Sequence, residues 1–413
     1  MMSKEKRRVP KLRFPGFTGD WEQRKLGDIA TLSKGNGYSK SDLVPSGSPI
    51  ILYGRLYTNY ETTIKNIDTF VELKDKSVIS QGGEVIVPAS GETAEDISRA
   101  SVVENQGIVI GGDLNVIKVK ELLNPTFLAL TISNGEQQKE LSKRAQGKSV
   151  VHLHNSDLQE VNLIFPLLNE QKEISILFEK LDNIITLHQR KLDKLKLKKK
   201  ALLQKLFPKN GERYPELRFP GFTDAWEQRK LGDLLILLKD GSHGTHKNTD
   251  AGVYLLSAKN IKNGRINIMP DDRIISWDDY NVIHKNYELQ IGDILLTIVG
   301  SIGETAIFNL KTKVTFQRSV AFLRPNSNLN NGFLYTLINT DRFQNQLQTK
   351  QVVSAQPGIY LGDLATIDIT YPKNILEQEK IYNIFREIEN SITLHQQEPF
   401  LCRNSVNGGV ELC

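Results

Sequence analysis

The sequence is poor in cysteine and has no long apolar run. Its two cysteines, Cys402 and Cys413, both lie in the last dozen residues. The rest of the chain therefore holds neither a disulfide framework nor a zinc site with cysteine ligands. The most apolar run, residues 234–238, is far too short to span a bilayer. The basic start at residues 1–8 has no apolar stretch behind it, so it does not read as a signal peptide. We therefore expect a cytoplasmic protein without a membrane partner.

An excess of charge of one sign is also lacking. The 53 lysines and arginines nearly balance the 48 aspartates and glutamates, which leaves a formal net charge of +5. This balance permits nucleic-acid binding but does not identify it. The chain has 413 residues, of which 39% are hydrophobic and 24% are charged. These values predict two or three soluble domains, each with its own core.

The chain contains a long internal repeat. Residues 10–28 read PKLRFPGFTGDWEQRKLGD and residues 215–233 read PELRFPGFTDAWEQRKLGD, identical at sixteen of nineteen positions. The match returns between residues 170–189 and 377–396, whereas residues 30–160 and 235–365 share only a faint skeleton. A repeat this long indicates two whole domains rather than a solenoid. The nearly identical ends of the two halves, called the frames, suggest that both halves meet the same partner or each other. The different segments between them, called the inserts, suggest that each half recognises a different target.

A long helix is predicted at the end of each half. Residues 170–207 lack proline and glycine, and their apolar residues follow a heptad spacing. The predicted seam, which also serves partner docking, comprises Ile174, Phe178, Leu181, Ile185, Leu192, Leu195, Leu202 and Leu206 in the first copy and Ile381, Phe385, Ile388 and Ile392 in the second. The two helices most simply pair with each other in antiparallel orientation, although each could instead pair with a separate subunit.

Polar residues on and beside this seam have two readings. His188 and His395 fall at matched seam positions, where we expect buried, hydrogen-bonded histidines rather than metal ligands. The basic run at residues 190–200 is either the solvated face of the helix or a stripe that faces phosphates, and the sequence leaves both open.

The fold class predicted is α+β, with two tandem domains of mixed β-sheet and short helices joined by long coiled-coil-like helices. Short strands are expected at 48–53, 85–88, 108–110, 116–119, 294–299 and 321–323, followed by helical patterns at 127–144 and 333–347. The predicted boundaries are a first domain at 1–168, a helical spacer at 169–209, a second domain at 210–375, a truncated second helix at 376–397 and an aberrant tail at 398–413.

The tail departs from the repeat. After Gln396 the second copy no longer follows the first, and both cysteines of the chain fall in this segment. Pro399 is expected to end the helix. The segment looks like a frameshifted end in place of a terminal helix.

Several catalytic motifs fail on inspection. Residues 147–149 read GKS, but Ser142 stands where a P-loop needs its first glycine, and the residues that follow favour a strand. Residues 124–127 read NPTF without the second proline of the adenine-methyltransferase tetrad. The histidines and carboxylates show no metal-ligand spacing. We therefore expect no independent catalysis and no metal site.

The doubled start L-R-F-P-G-F-x-x-x-W-E-x-x-K-L-G-D and the repeated helices resemble the specificity (S) subunits of type I restriction–modification systems, particularly the staphylococcal-like group. The resemblance covers residues 10–396. It implies two target-recognition domains, each reading one half of a bipartite site in double-stranded DNA. It also implies helices that dock two modification subunits, which methylate adenine with S-adenosylmethionine, and two restriction subunits that use ATP and Mg. This chain itself would bind no cofactor and would be non-catalytic.

Candidate DNA-binding residues are polar and basic residues in loops between the predicted strands, because base readout needs hydrogen-bond donors and acceptors. In the first domain they are Ser33, Lys34, Asn36, Tyr38, Tyr53, Arg55, Arg99, Lys148 and Ser149. In the second domain they are Lys239, Ser242, His243, His246, Lys247, Lys259, Asn260, Gln317, Arg318, Ser319 and Gln356. The segments 53–55 and 317–319 are the strongest candidates.

Two other classes stay open. One is a stand-alone DNA-modifying enzyme, which S-adenosylmethionine binding by the isolated chain would indicate. The other is a two-domain protein-interaction scaffold, which a lack of salt-dependent duplex binding would indicate.

Overall fold

The computed structural model describes residues 10–145, 147, 150–352 and 357–407, with side chains as far as residue 396. The chain forms two compact units, the first up to His188 and the second at Gln189–Asn404. Each unit combines mixed sheets with short helices, so the predicted α+β class with two tandem domains is confirmed.

The first unit is built from short strands and short helices. Its strands are β1 (Glu22–Lys25), β2 (Ala30–Lys34), β3 (Leu43–Val44), β4 (Ser48–Ile51), β5 (Thr63–Ile64), β6 (Phe70–Val71), β7 (Ile79–Gln81), β8 (Glu84–Pro88), β9 (Ser90–Gly91), β10 (Ser101–Val103), β11 (Gln106–Ile110), β12 (Leu114–Val119), β13 (Val151–His152) and β14 (Asn162–Phe165). Its helices are α1 (Leu26–Ile29), α2 (Arg55–Thr58), α3 (Pro125–Ser133), α4 (Gly135–Arg144), α5 (Asn155–Gln159) and the start of α6 (Leu168–Lys205).

Two five-stranded sheets form the body of the first unit. One has the order β2-β12-β8-β10-β5 and the other the order β3-β6-β4-β11-β7. Strand β8 is buried along its whole length, so both of its faces lie in core. The first core lies between the β8 sheet and α3, and the second packs between the sheets around Ile51 and Ile110.

The second unit repeats this plan. Its strands are β15 (Glu227–Lys230), β16 (Leu235–Asp240), β17 (Val253–Leu256), β18 (Ile261–Lys262), β19 (Arg265–Ile266), β20 (Arg273–Ile275), β21 (Ile294–Thr297), β22 (Thr305–Ile307), β23 (Val314–Phe316), β24 (Val320–Pro325) and β25 (Asp368–Tyr371). Its helices are α7 (Trp277–Ile283), α8 (Asn331–Ile338), α9 (Asp341–Thr349), α10 (Leu361–Ala365) and α11 (Ile375–Asn407). The sheets have the orders β16-β24-β21-β22 and β20-β17-β23.

Each helical pattern that was predicted as one piece is two helices. The break in the first domain lies at Asn134, which is extended and whose side chain donates to Leu130 O. In the second domain, Thr340 caps α9 by accepting a hydrogen bond from the Phe343 amide. Side chains of this type satisfy free backbone groups and so favour a helix end.

Burial along the two long helices follows the heptad spacing. Every predicted seam position is buried or half-buried, whereas the residues between them are mostly exposed. Leu206, Ile381 and Phe385 join the same core in the second unit. Phe207 packs against Phe385, and eight residues earlier Lys199 pairs with Glu389 at 2.7 Å, so the two helices run antiparallel within this unit.

The two seam histidines and the basic run beside them differ in exposure. His395 is buried, whereas His188 is half-buried. Residues 190–200 are exposed apart from Leu192, Leu195 and Lys199, as either reading of the basic run requires.

The prediction that Pro399 ends the second helix is wrong, because α11 continues to Asn407. Proline removes one backbone donor, and the bonds on either side of it can still form.

The repeated residues tie each domain to its long helix. Arg13 donates two hydrogen bonds of 2.7 Å to Glu170, and Arg218 donates bonds of 2.8 and 2.9 Å to Glu377. Both glutamates are almost completely buried. The repeated segments at residues 10–28 and 215–233 therefore attach each domain to its long helix. The sequence alone does not predict this role.

A second tie uses the neighbouring glutamine. Gln378 accepts from the Asn330 amide and donates to the carbonyls of Asn328 and Pro372. Gln171 makes the matching set of bonds in the first unit. Within the part of the chain that the structure describes, no helix is both long enough and apolar enough to cross a membrane.

Candidate nucleic-acid interface

The same corner is built in both units where the first long strand ends. In the first unit the Gly35 amide donates to Leu114 O at 2.9 Å, and in the second unit the Gly241 amide donates to Val320 O at 3.1 Å. A side chain on Gly35 would lie 2.0 Å from Gly111 O, and one on Gly241 would lie 2.2 Å from Phe316 O. Only glycine allows this close approach. We call residues 35–38 with 110–114 the first corner, and residues 241–249 with 316–320 the second corner.

The second corner joins two of the predicted segments. Ser242 donates its amide to Phe316 O at 2.8 Å and accepts the Arg318 amide at 3.0 Å. Residues 242–246 and 317–319, which are far apart in sequence, therefore lie together as candidates for one surface. The strands behind them are firmly packed, since Phe316 and Val320 are fully buried.

The exposed side chains of this corner include Arg318, His243 and Lys247. Among the residues that the structure describes, no oxygen bonds the Arg318 guanidinium. His243 Nε2 lies 2.7 Å from Asp240 Oδ2. Gln317 is half-buried, as is Ser319, which accepts the Ala258 amide.

Three polar side chains of the second unit, Ser242, His246 and Asp279, lie next to one another. Ser242 Oγ lies 2.6 Å from His246 Nε2, and His246 Nδ1 lies 3.2 Å from Asp279 Oδ1. Only 11% of the His246 side chain is exposed. Loop composition predicts Ser242 and His246 as site residues but not Asp279, because nothing in the sequence places helix α7 beside the loop that follows β16.

Two candidates of the second domain have structural roles. Asn260 is 1% exposed, so it cannot reach DNA, and its assignment as a DNA-binding residue is corrected. Its side chain accepts the Ser257 amide and donates to Asn267 O and to Asp272. Lys259 is half-exposed and pairs with Asp272 at 2.8 Å, and this ion pair raises the pKa of Lys259.

The first corner carries different side chains on the same frame. Ser33 and Lys34 lie exposed at the end of β2, and exposed Asn36 donates to Lys76 O. Tyr38 adopts a positive φ of 60°, and its hydroxyl lies 2.6 Å from Ser77 Oγ. Opposite these residues stand Gly111 and Gly112, where the second corner has Gln317 and Arg318.

Four first-domain candidates line one groove of about 1290 Å³, namely Tyr38, Tyr53, Arg55 and Arg99. Tyr53 is 42% exposed and packs edge to face against Tyr57. The guanidinium of Arg55 is already engaged by Glu61 at 2.7 Å and by Asp68 at 3.2 Å, and only 12% of its side chain is exposed. Arg99 pairs with Asp96 at 2.9 Å.

Three candidates cannot be placed. Lys148, Ser149 and Gln356 lie outside the residues that the structure describes. Within the described residues, no group of three or more histidine, cysteine, aspartate or glutamate side chains could hold a metal ion.

An aromatic ladder beside the second corner was also missed. The rings of Tyr280 and His284 stack at a centroid distance of 4.3 Å, and the ring of Tyr287 lies tilted against His284 at 4.7 Å. The Lys239 ammonium, a predicted candidate, lies 4.5 Å from the centre of the Tyr287 ring. Burial lowers the pKa of His284 and raises the pKa of Tyr287 to about 12, so both rings stay neutral. The spacing of three or four residues between these aromatics is the signal that could have predicted the ladder.

Comparison with known proteins identifies the family. The family model of the type I restriction modification DNA specificity domain matches the chain twice, over residues 18–197 and 223–400. The chain belongs to this family, and each of its halves carries one specificity domain.

A curated relative and two solved structures agree with this assignment. The specificity subunit of the type I restriction enzyme MjaVIII of Methanocaldococcus jannaschii is 22% identical over 397 residues, which cover 92% of this chain and 88% of that protein. The S subunit of a type I restriction–modification system from M. genitalium has a TM-score of 0.55 at 15% identity, with 94% of both chains covered. A chain solved in work on assembly and conformational transition of the type I system has a TM-score of 0.51 at 17% identity, with 96% of both chains covered. These structures share the fold of this chain.

Proposed function

We propose that this chain is the DNA-recognition subunit of a type I restriction–modification complex, and that each unit reads one half of a bipartite duplex target. One observation carries the proposal. The same corner, made by Gly35 in one unit and Gly241 in the other, presents different side chains in each. A shared frame with different surface chemistry is what two domains need in order to read two different sequences. Membership of the DNA specificity domain family supports this reading.

Arg318 is the residue best suited to direct base readout. Its backbone is held by the Ser242 carbonyl, and its side chain is exposed. A guanidinium matches the two acceptors on the major-groove edge of guanine, and such a pair discriminates between bases by roughly 1–3 kcal/mol. The exposed basic run at residues 190–200 would supply phosphate contacts, which add affinity without sequence preference.

The proposal also assigns the chemistry to other subunits. Two modification subunits would dock on the long helices and methylate adenine with S-adenosylmethionine, and two restriction subunits would translocate and cleave DNA with ATP and Mg. Docking is supported in the first unit by the apolar side chains that α6 leaves exposed, since Leu177, Ile184 and Leu187 are 42%, 51% and 69% exposed.

Three finer assignments belong to the same proposal. We place the chain with the staphylococcal-like group because of its doubled start, and in the cytoplasm because that is where the host DNA is. We also propose that the residues after Gln396 derive from a frameshift, since the repeat stops there and the only two cysteines follow.

The test is selection of duplexes from a randomised pool by the tagged full-length chain, purified together with the proteins that it captures in its own cells. We expect a bipartite motif, weaker capture at higher salt, and a methyltransferase among the captured proteins. Arg318→Ala should relax one base position in one half of the motif by about 5–150-fold. Arg265→Ala is the matched control, because it removes an exposed arginine from the β18–β19 hairpin of the same unit.

Three results would contradict the proposal. Failure to enrich any sequence would remove the role in recognition. Capture without salt dependence would favour a protein-interaction scaffold. Binding of S-adenosylmethionine by the isolated chain would favour a stand-alone enzyme.

A further inference from the structure

In the first corner, the turn between strands β11 and β12 exposes a single side chain. Ile110 and Leu114 at the two ends of the turn are fully buried. Gly111 and Gly112 have no side chain, whereas Asp113 is exposed. Within residues 110–114, Asp113 is therefore the side chain that can reach a ligand.

This exposed group stands next to the place that Arg318 takes in the second corner. The matched glycine bonds of the two corners put Gly112 where the second corner has Arg318. A Cβ atom on Gly112 would lie 2.9 Å from Gly37 O, so packing excludes a reading side chain at that place. The first corner therefore presents its polar group one residue later, at Asp113.

Both the backbone and the side chain of Asp113 are held in place. Its carbonyl accepts the Ala89 amide at 2.7 Å, and its carboxylate accepts the Ser90 hydroxyl at 2.8 Å. The preceding Gly112 amide donates to Gly37 O at 2.7 Å. A side chain fixed in this way loses little conformational freedom when it meets a ligand, so it can select one geometry.

The carboxylate of Asp113 keeps acceptor capacity for a ligand. An ionised carboxylate has about four acceptor positions and no donor, and the Ser90 hydroxyl takes one of them on Oδ2. Among the residues that the structure describes, none forms an ion pair with this carboxylate. Asp113 also lines the groove of about 1290 Å³ that Tyr53 and Arg99 line, so it borders the space open to a ligand of the first unit.

We infer that Asp113 is a specificity-determining residue of the first unit, and that it accepts a hydrogen bond from N4 of a cytosine in the major groove. Guanine and thymine present acceptors at this edge, which repel a carboxylate. Adenine has the acceptor N7 beside its amino group, so cytosine suits a carboxylate better. The inference rests on the proposed function and deepens it, because it assigns one C·G pair to the half-site that the first unit reads.

Asp113→Asn tests the inference. Asparagine tolerates the φ of 61° at this position, and its oxygen can still accept from the Ser90 hydroxyl, so the corner should fold as before. The asparagine amide pairs with N6 and N7 of adenine, so the selected base should change. Asp113→Gly is the second variant, because glycine also suits a positive φ and removes the carboxylate.

The matched control is Glu121→Gln. It removes an exposed carboxylate that lies beyond the other end of strand β12, roughly 20 Å from Asp113. All variants are full-length and go through the same randomised-duplex selection, with thermal melting as a check on folding.

We expect one C·G pair in one half of the motif to respond. There Asp113→Asn should select adenine over cytosine by at least about 5-fold, and Asp113→Gly should select no base. The other half should not change, and Glu121→Gln should select the same motif as the wild type.

Three results would overturn the inference and leave the proposed function standing. They are an unchanged motif in the folded Asp113 variants, a change at a position other than a C·G pair, and a change in the same half that Arg318→Ala alters. If the wild-type chain enriches no motif, the proposed function itself fails, so the two failures are distinguishable.

Discussion

The ion pair between Arg218 and Glu377 gives a quantitative prediction for the attachment of the second domain to helix α11. The carboxylate accepts two hydrogen bonds of 2.8 and 2.9 Å from Arg218 and one of 3.3 Å from Trp226 Nε1. The side chains of Glu377 and Arg218 are only 2% and 15% exposed. Water therefore screens this pair very little.

Glu377→Gln should destabilise the second unit by about 3 kcal/mol. Breaking a buried pair leaves an uncompensated charge, which typically costs roughly 3–5 kcal/mol. Glutamine keeps the volume and one acceptor oxygen, so we expect a free-energy loss at the lower end of this range. For a unit of this size the loss corresponds to a melting temperature lower by about 6–12 °C. The double variant Arg218→Met with Glu377→Gln should lose clearly less than the sum of the single variants, because no unpaired charge remains.

The assay is urea unfolding followed by the fluorescence of Trp226. This indole is fully buried, and its ring centroid lies 5.9 Å from that of Phe207 and 5.8 Å from that of Phe333. Its emission therefore reports on the second unit. The other two tryptophans, Trp21 and Trp277, are replaced by phenylalanine in every variant. The full-length chain is used throughout.

The matched control is Glu379→Gln, which changes the same charge at an exposed position two residues along the helix. It should stay within about 0.5 kcal/mol of the parent. If Glu377→Gln is equally mild, the ion pair does not hold the domain to the helix, and the reading of the repeated frame as an attachment device is refuted.

Two further predictions concern the second unit. Burial lowers the pKa of His284, so the unfolded chain takes up a proton near the usual value of 6.5 while the folded chain stays neutral. The contribution of His284 to stability is therefore complete above about pH 6.5 and declines as the pH falls. His284→Gln should make the melting temperature fall less between pH 7 and pH 5 than it does in the parent. An equal fall in both proteins would contradict this prediction. Asn260→Ala removes the buried bonds to Asn267 and Asp272 and should cost about 2–3 kcal/mol without changing base preference. A change in preference with full stability would restore Asn260 as a DNA-reading residue.

Much of the architecture follows from sequence patterns that act locally. The repeat at residues 10–28 and 215–233 predicts two domains on one frame, and the heptad spacing predicts which residues of the long helices are buried. Both predictions need only neighbours in sequence, since helix periodicity and repeated segments are properties of a short stretch of chain. The limits of this reasoning appear at Pro399, where helix α11 continues through a residue that ordinarily ends helices.

The candidate site was predicted only in part. Loop composition pointed to Ser242, His246 and Arg318, which the structure brings into one corner. The same reasoning chose Asn260, which is buried, and Arg55, which Glu61 and Asp68 already engage. Composition alone does not distinguish a polar residue that faces solvent from one that satisfies buried groups, because both need the same donors and acceptors.

By itself the sequence determined that the protein is a doubled α+β chain with two frames of one kind and two inserts of different kinds. The tertiary structure decided which polar residues meet. The parallel pairing of β17 with β23 and the antiparallel pairing of β16 with β24 bring the loop after β16 against residues 317–319. Helix α7 then places Asp279 beside His246. These contacts join segments distant in the chain, and only the packing of the sheets sets their distances.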